Sequence, residues 1–375
     1  MASLPIPDEL SVEIFLRIPN PADLLRASAA CVSFRRLIAD RSFLRQYRKL
    51  HAPPLLGLLD HERKVFYPAA PPHPSAPAAG AAALAADFSF SFLPAPTTDW
   101  RVQDVRSGRV LLGRAPQHGI DNRHRLVFPE LVVCDPLYRR YLMLPPIPAH
   151  LAATVKRSLW IKLHRYCETF LAPPSDIDDE ASGAEETSFS VVWMAQYNAK
   201  LFAFVFSSST GQWRAISSLS WSDLLPGLLS LTGLALEKFL VLDSWRMKFS
   251  IAEPPPEMRY LHGVDIAILE AGEGRSRMFV RTRGTNYLSY TTRRNKLWDS
   301  SLDRAFFSLD ARTFQLERVF ASNSCIPNVH AYSSFPPSLL LIPTVPSGIG
   351  NSGAEKETPE QGSAASSSTE SPKSE

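Results

Sequence analysis

The reading of the first fifty residues turns on Pro7-Asp8-Glu9-Leu10-Ser11-Val12-Glu13-Ile14-Phe15-Leu16-Arg17-Ile18-Pro19-Asn20-Pro21-Ala22-Asp23-Leu24. Leu10, Ile14 and Ile18 recur at i, i+4 and i+8, one stripe of an α-helix, with Phe15 beside it. Pro7 suits a first turn, where a missing amide costs nothing, and Asp8 and Glu9 suit the positive end of the helix dipole. Pro19 stops that helix. Asn20-Pro21-Ala22-Asp23 opens a second, with a capping side chain, a proline at the first helical position and an acid close behind. Leu24, Ala27, Cys31 and Phe34, continued by Leu37 and Ile38, carry the apolar set onward, and Asp40 caps a third short helix bearing Phe43 and Leu44. Three short helices bury too little surface to build an adequate core alone. Part of the apolar stripe is therefore expected to dock on another protein, helix against helix.

Beyond residue 50 the pattern changes to apolar runs that end in Asp or Ser, followed by a four-residue turn and then a basic or amide residue with an aromatic or aliphatic one. Copies start at Asp60, Asp104, Asp135, Ser207, Asp243 and Asp310, with a weaker one at Glu270. Each predicts a β-hairpin, since Asp or Ser hydrogen-bonds its own turn and Gly108 and Gly211 relax the backbone where they occur. The intervals of 44, 31, 72, 36, 27 and 40 residues have a rough unit of ~35–40, the size of one blade in a radial array of sheets. Proline, at 32 residues against 17 glycines, fits short strands separated by turns rather than an all-helical body. No Gly-His/Trp-Asp period and no Gly-Gly doublet ties these copies to a named repeat family.

The landmarks Ile6-Pro7-Asp8-Glu9-Leu10, Glu13-Ile14-Phe15, Ile18-Pro19, Asp23-Leu24-Leu25, Ala30-Cys31, Phe34-Arg35-Arg36-Leu37-Ile38 and Ser42-Phe43-Leu44 resemble an F-box. Ile6 stands where that family usually has Leu, and Phe34 where it often has Trp. The resemblance implies binding of a Skp1-like adaptor, and through it a cullin, by Pro7, Leu10, Ile14, Phe15, Ile18, Leu24 and Phe34. Trp100 to Leu112, Val133 to Tyr141, Phe206 to Arg214 and Phe307 to Asp310 are similar to the F-box-associated region of a large plant family best represented in cereal grasses. Compared with that family the chain is short between Trp221 and Phe239 and between Tyr290 and Phe306, which leaves an incomplete ring as one outcome. The expected fold class is α+β multidomain. A three-helix F-box over residues 1–50 precedes a mostly β, propeller-like repeat domain over 51–345, with disordered loops at 68–86 and 173–187 and a disordered tail at 346–375.

Charge and composition bound the function. Residues 1–50 carry eight Lys/Arg against five Asp/Glu, whereas 175–187 carries six acids and no base. The arginines of the body are scattered, as on solvated faces, so no nucleic-acid partner is expected. Four cysteines form no C-x-x-C pair, no signal peptide is visible, and the uncharged run Leu224 to Leu236 is too short for a bilayer. These features read as a soluble protein of the cytoplasm and/or nucleus, without a membrane partner. No G-x-S-x-G or H-E-x-x-H occurs. Gly348 to Gly353 lacks the following helix that a nucleotide loop requires, and Asp176 to Glu180 lacks the glycine and glutamate of a calcium loop. His118 and His124 read as loop residues. No catalytic residue, metal or cofactor is expected.

The target protein is expected on the β domain. Tyr138, Trp245 and Arg246 are candidate contacts because aromatic and arginine residues in turns have the composition of binding hot spots, with packing between blades as the other reading. The leading function is a substrate-recognition adaptor of an SCF-type ubiquitin ligase. Alternatives are a non-catalytic scaffold whose shortened body delivers no target, and a propeller enzyme, for which no carboxylate pair is evident.

Overall fold

Four helices, not three, occupy the N-terminal segment: α1 (Asp8–Leu16), α2 (Pro21–Ala30), α3 (Val32–Ile38) and α4 (Arg41–Leu50). The computed structural model describes residues 7–51, 53–114, 128–157, 166–172, 188–196, 200–220, 239–243, 248–252, 264–270, 276–282, 288–291, 297–298, 305–309, 316–321, 329–335 and 345. The expected second helix breaks at Cys31, whose backbone is extended (φ −156°, ψ 165°). The Cys31 Sγ accepts the Phe34 amide at 3.4 Å and so caps α3, as a serine would. The apolar spacing runs unchanged through this break, because both α2 and α3 face the same core.

That core gathers Phe15, Leu24, Ile38, Phe43, Leu44 and Tyr47, with Phe335 from the far end of the described chain. Burying each such side chain contributes about 1.5–3 kcal/mol relative to leaving it exposed. Asn20 accepts the Ala22 amide at 3.0 Å, and Asp40 accepts the Ser42 and Phe43 amides at 2.9 and 3.2 Å, so both expected caps form.

The remainder is a succession of mostly antiparallel sheets. β1 (Leu55–Asp60) and β2 (Phe66–Pro68) make the first hairpin, followed by α5 (Ala76–Ala85). β3 (Trp100–Arg106), β4 (Arg109–Arg114), β5 (Glu130–Asp135) and β6 (Arg140–Met143) form a four-stranded meander. After α6 (Ala149–Arg157) a second meander contains β7 (Tyr166–Ala172), β8 (Ser190–Gln196), β9 (Lys200–Ser207) and β10 (Gln212–Ser220). Then β11 (Phe239–Asp243) pairs with β12 (Lys248–Ala252), and β13 (Val264–Glu270), β14 (Ser276–Thr282) and β15 (Leu288–Thr291) form a three-stranded sheet. Another comprises β16 (Leu297–Trp298), β17 (Ala305–Leu309) and β18 (Leu316–Ala321). Finally β19 (Val329–Ser333) returns to the start and pairs with β1, from Leu55 opposite Ser333 to Asp60 opposite Val329.

The strands read as continuous apolar runs because both faces of the central sheets are buried. In β4 and β5, Val110, Leu112, Val132 and Cys134 pack toward β1 and α5, while Leu111, Leu131 and Val133 pack toward the next meander. In β9 the alternation repeats: Phe202, Phe204 and Phe206 face back, and Leu201, Ala203 and Val205 face onward with Phe249 of β12. Trp193 and Phe204, directly opposed across β8 and β9, stack at 5.2 Å.

Asp60, Asp104, Asp135, Ser207, Asp243 and Glu270 each lie in or at the end of the first strand of a hairpin, and Asp310 lies outside the described residues. The Asp60 carboxylate accepts the Glu62 and Arg63 amides at 2.8 and 2.7 Å, and that of Asp135 accepts the Leu137 and Tyr138 amides at 3.1 Å. The fourth residue onward is left-handed in three turns, at Lys64 (φ 57°), Arg139 (φ 54°) and Gly211 (φ 68°). Asp104 departs from this scheme. It lies inside β3, the turn falls at Ser107-Gly108, and its carboxylate accepts the Leu171 amide of β7 at 2.8 Å, tying the two meanders together.

One expected loop is corrected. The segment 68–86 contains α5, in which Ala79 and Ala82 are buried against β1 and β2. Seven alanines give this ten-residue stretch strong helix propensity, and Pro77 falls in the first turn, where it is tolerated. Residues 173–187 and 346–375 lie outside the described residues.

Candidate functional site

α1 sorts its residues cleanly by face. Phe15 is buried and meets Phe34 edge-on at 4.9 Å, and Ser11 is buried beside it. Leu10 and Ile14, one turn apart, point the other way and are each 48% exposed. Pro7 is also exposed, whereas Ile18 and Phe34 are half-buried at the rim of the core. Leu24 is fully buried. The seven residues singled out in sequence therefore divide: Pro7, Leu10 and Ile14 form an outward apolar stripe, Ile18 and Phe34 flank it, and Phe15 and Leu24 support it from inside.

Two surface features escaped the periodicity argument. Val32, at the start of α3, is 79% exposed, the most open of the helical apolar side chains on this segment. On α4, Arg41, Arg45 and Lys49 form an exposed i, i+4, i+8 row opposite the buried Phe43, Leu44 and Tyr47. The row is written in the sequence as three bases at helical spacing, Arg41, Arg45 and Lys49.

Tyr138 belongs to a different place from the one expected. With Leu137 it packs, half-buried, against the helical core from the β5–β6 turn, where Phe335 meets Tyr47 at 6.1 Å. Burial, then the Asp135 charge, pushes the Tyr138 phenol above its ordinary range. Burial, with Asp23 adding to it, pushes Tyr47 up to about 12, so both rings are neutral hydrophobic contacts at ordinary pH. Tyr138 thus joins the helices to the sheets. Trp245 and Arg246 lie outside the described residues, as do His118, His124 and the segments of Asp176 and Gly348.

The same end of the sheets carries further ties. The Gly108 amide donates to the Ser333 carbonyl at 2.8 Å, and the Ser334 amide to the Pro54 carbonyl at 3.2 Å. Arg109 donates to the Ser188 carbonyl at 3.4 Å and lies over the Phe189 ring. Burial lowers its guanidinium to about 10, against the opposing pull of Asp135. Among the described residues no group of three or more His, Cys, Asp or Glu is placed to hold a metal ion, and no helix is long and apolar enough to cross a membrane.

Residues 5–49 match the F-box-like family. No curated protein matches the chain. Among solved structures, the β-propeller domain of Vanderwaltozyma polyspora Nup133 is similar at 11% identity and a TM-score of 0.18, over 62% of this chain and 47% of that one. A likeness so weak carries no argument for the fold, and the chain spans about half the length of that structure.

Proposed function

We propose that this chain is a substrate-recognition adaptor of an SCF-type ubiquitin ligase. F-box domains in general bind Skp1-like proteins, and F-box proteins are in general non-catalytic adaptor subunits. The observation that carries the reading is the outward Leu10–Ile14 stripe on the first helix of the domain that matches that family. A Skp1-like protein would cover Pro7, Leu10 and Ile14, with Ile18 and Phe34 at the margin. Phe15 and Leu24 would hold the stripe in place without contributing area. The cullin would be reached through that partner.

The β-rich body would bind the target protein, with the sheets in a propeller-like arrangement supported by the pairing of β19 with β1. Trp245 and Arg246 remain the proposed target contacts, and Tyr138 is reassigned to the junction with the helices. The likeness of the body to a cereal-grass family and a place in the cytoplasm or nucleus belong to the same reading. The mechanism is proximity: holding a target lysine near a ubiquitin-charged enzyme raises its effective concentration without any reactive group from this chain.

Co-purification with a Skp1-like protein tests the stripe. Leu10→Asp places an uncompensated charge in an apolar contact and should abolish binding, while the circular-dichroism melt stays that of the wild type because Leu10 is outside the core. Retained binding by the Leu10→Asp protein would refute the reading.

A further inference from the structure

Among the described residues His73 is the only buried histidine, its side chain 4% exposed. It stands in the turn that leads from β2 into α5, within Pro71-Pro72-His73-Pro74-Ser75-Ala76-Pro77. The turn is held by its own backbone: the His73 amide donates to the Ala70 carbonyl at 3.0 Å, and the Ala76 amide donates to the His73 carbonyl at 2.9 Å. The Ser75 amide donates to the ring itself, at Nδ1, across 3.1 Å. A backbone N–H can only donate, so Nδ1 is the bare nitrogen and the neutral ring carries its proton on Nε2. That Nε2 faces the Glu317 carboxylate of β18 at 3.7 Å.

This corner joins the first sheet of the body to strands from far later in the chain. The Ala70 amide donates to the Val319 carbonyl at 2.6 Å, and the Tyr67 ring of β2 stacks on Phe320 of β18 at 5.3 Å. Few titratable groups surround the ring. β18 offers Glu317, 39% exposed, while Arg318 is exposed and by strand alternation projects from the other face. β2 offers Tyr67. α5 has no ionisable side chain, and the other residues of the turn are prolines, Ser75 and Ala76.

We propose that His73 is an acid-sensitive latch: the neutral ring docks the turn before α5 onto β18, and protonation at Nδ1 releases that turn and the start of the helix. An added proton would set two donors, Nδ1–H and the Ser75 N–H, against each other. The ring then gives up the Ser75 bond or keeps the proton out. Burial holds the ring below its ordinary value of 6.5, outweighing the pull of Glu317 in the other direction. The docked turn thus refuses a proton that the released turn accepts. Docking is therefore at full strength above about pH 6.5 and weakens as pH falls from there toward the docked value. The packing of Ala79 and Ala82 on β1 and β2 does not titrate, so the opening stays local to the entry of α5.

The test compares wild type, His73→Asn and Glu317→Gln as full-length chains between about pH 7.5 and pH 5. Amide hydrogen exchange, normalised for its intrinsic pH dependence, is read over residues 70–79, and the labelled histidine rings are titrated by NMR. His73→Asn keeps an acceptor for the Ser75 amide and takes up no proton, and the ring signal it lacks identifies His73. His73→Gln replaces it in both uses if the Asn chain fails to fold. The expected result is a His73 titration below 6.5, with protection over 70–79 falling at least about threefold toward pH 5 in wild type and unchanged in the His73 variant. Glu317→Gln removes the charge that favours the proton and should move that titration lower still. A His73 titration at or above 6.5 overturns the proposal, as does an equal loss of protection in wild type and the His73 variant.

Discussion

Gly211 closes the turn between β9 and β10 with φ at 68°, and a Cβ built there meets nothing within 4 Å. Substitution by alanine is therefore limited to backbone strain, and Gly211→Ala should cost about 1–2 kcal/mol, read from the denaturant midpoint. Lys64 and Arg139 already accept that strain at the equivalent position of their turns. Asp104 offers a different test. Its burial raises its carboxyl above the ordinary value of 3.8, outweighing the amide hydrogen bonds from Leu171 and Val105 that favour ionisation. The folded chain then holds this proton at a pH where the unfolded chain has released it, so stability falls as pH rises from near 4 through the folded value and is level above it. Asp104→Asn removes the charge and keeps one oxygen, for the Leu171 amide, while giving up the bond that the other carboxylate oxygen accepts from the Val105 amide. It should raise the denaturation midpoint at pH 7 and lose that advantage near pH 4.

At the scale of elements, α5 shows what composition conceals. A Pro/Ala-rich run reads as loop when proline is counted, but the prolines lie before or within the first turn and the alanines follow. Small side chains let this helix lie close on β1 and β2, with Ala79 fully buried. Ala79→Leu should overpack that contact and destabilise the chain by about 1–3 kcal/mol, seen as a lower melting midpoint and faster amide exchange over 76–85. The hairpins were legible for a physical reason: a carboxylate or hydroxyl at the end of a strand binds its own turn, and the next strand resumes at a fixed offset. The Cys31 break was not, since apolar periodicity is blind to a cap that keeps both helices on one core. The α1 stripe was legible as a whole, but periodicity could not say which of its members face inward. Leu10 and Phe15 look alike in sequence and lie on opposite sides of the helix.

Across the whole molecule, helices and sheets share a hydrophobic cluster through Tyr47, Phe335, Leu137 and Tyr138. That junction was invisible in sequence because its members are separated by nearly three hundred residues and none belongs to a local pattern. Phe335→Ala should cost about 3–5 kcal/mol if the junction stays closed. If it opens instead, limited proteolysis near residues 51–54 should accelerate while the sheets keep their melting transition. The proposed target contacts could not be placed by local chemistry either, because a tyrosine in a turn has the same composition whether it meets a partner or the chain's own helices.

The packing of Phe335 on Tyr47 also sets a timetable. Tyr47 is synthesised 288 residues before the side chain that covers it, and β1 waits almost as long for β19. At ~5–20 residues per second, the helical segment spends roughly 15–60 s on the ribosome with its inner aromatic cluster uncapped. The outward Leu10–Ile14 stripe requires no such wait, because it stands on the local core of Phe15, Leu24 and Phe43. A partner that binds this stripe could therefore engage the nascent chain before the body is complete, and shield the end that folds first from aggregation until the last strand arrives.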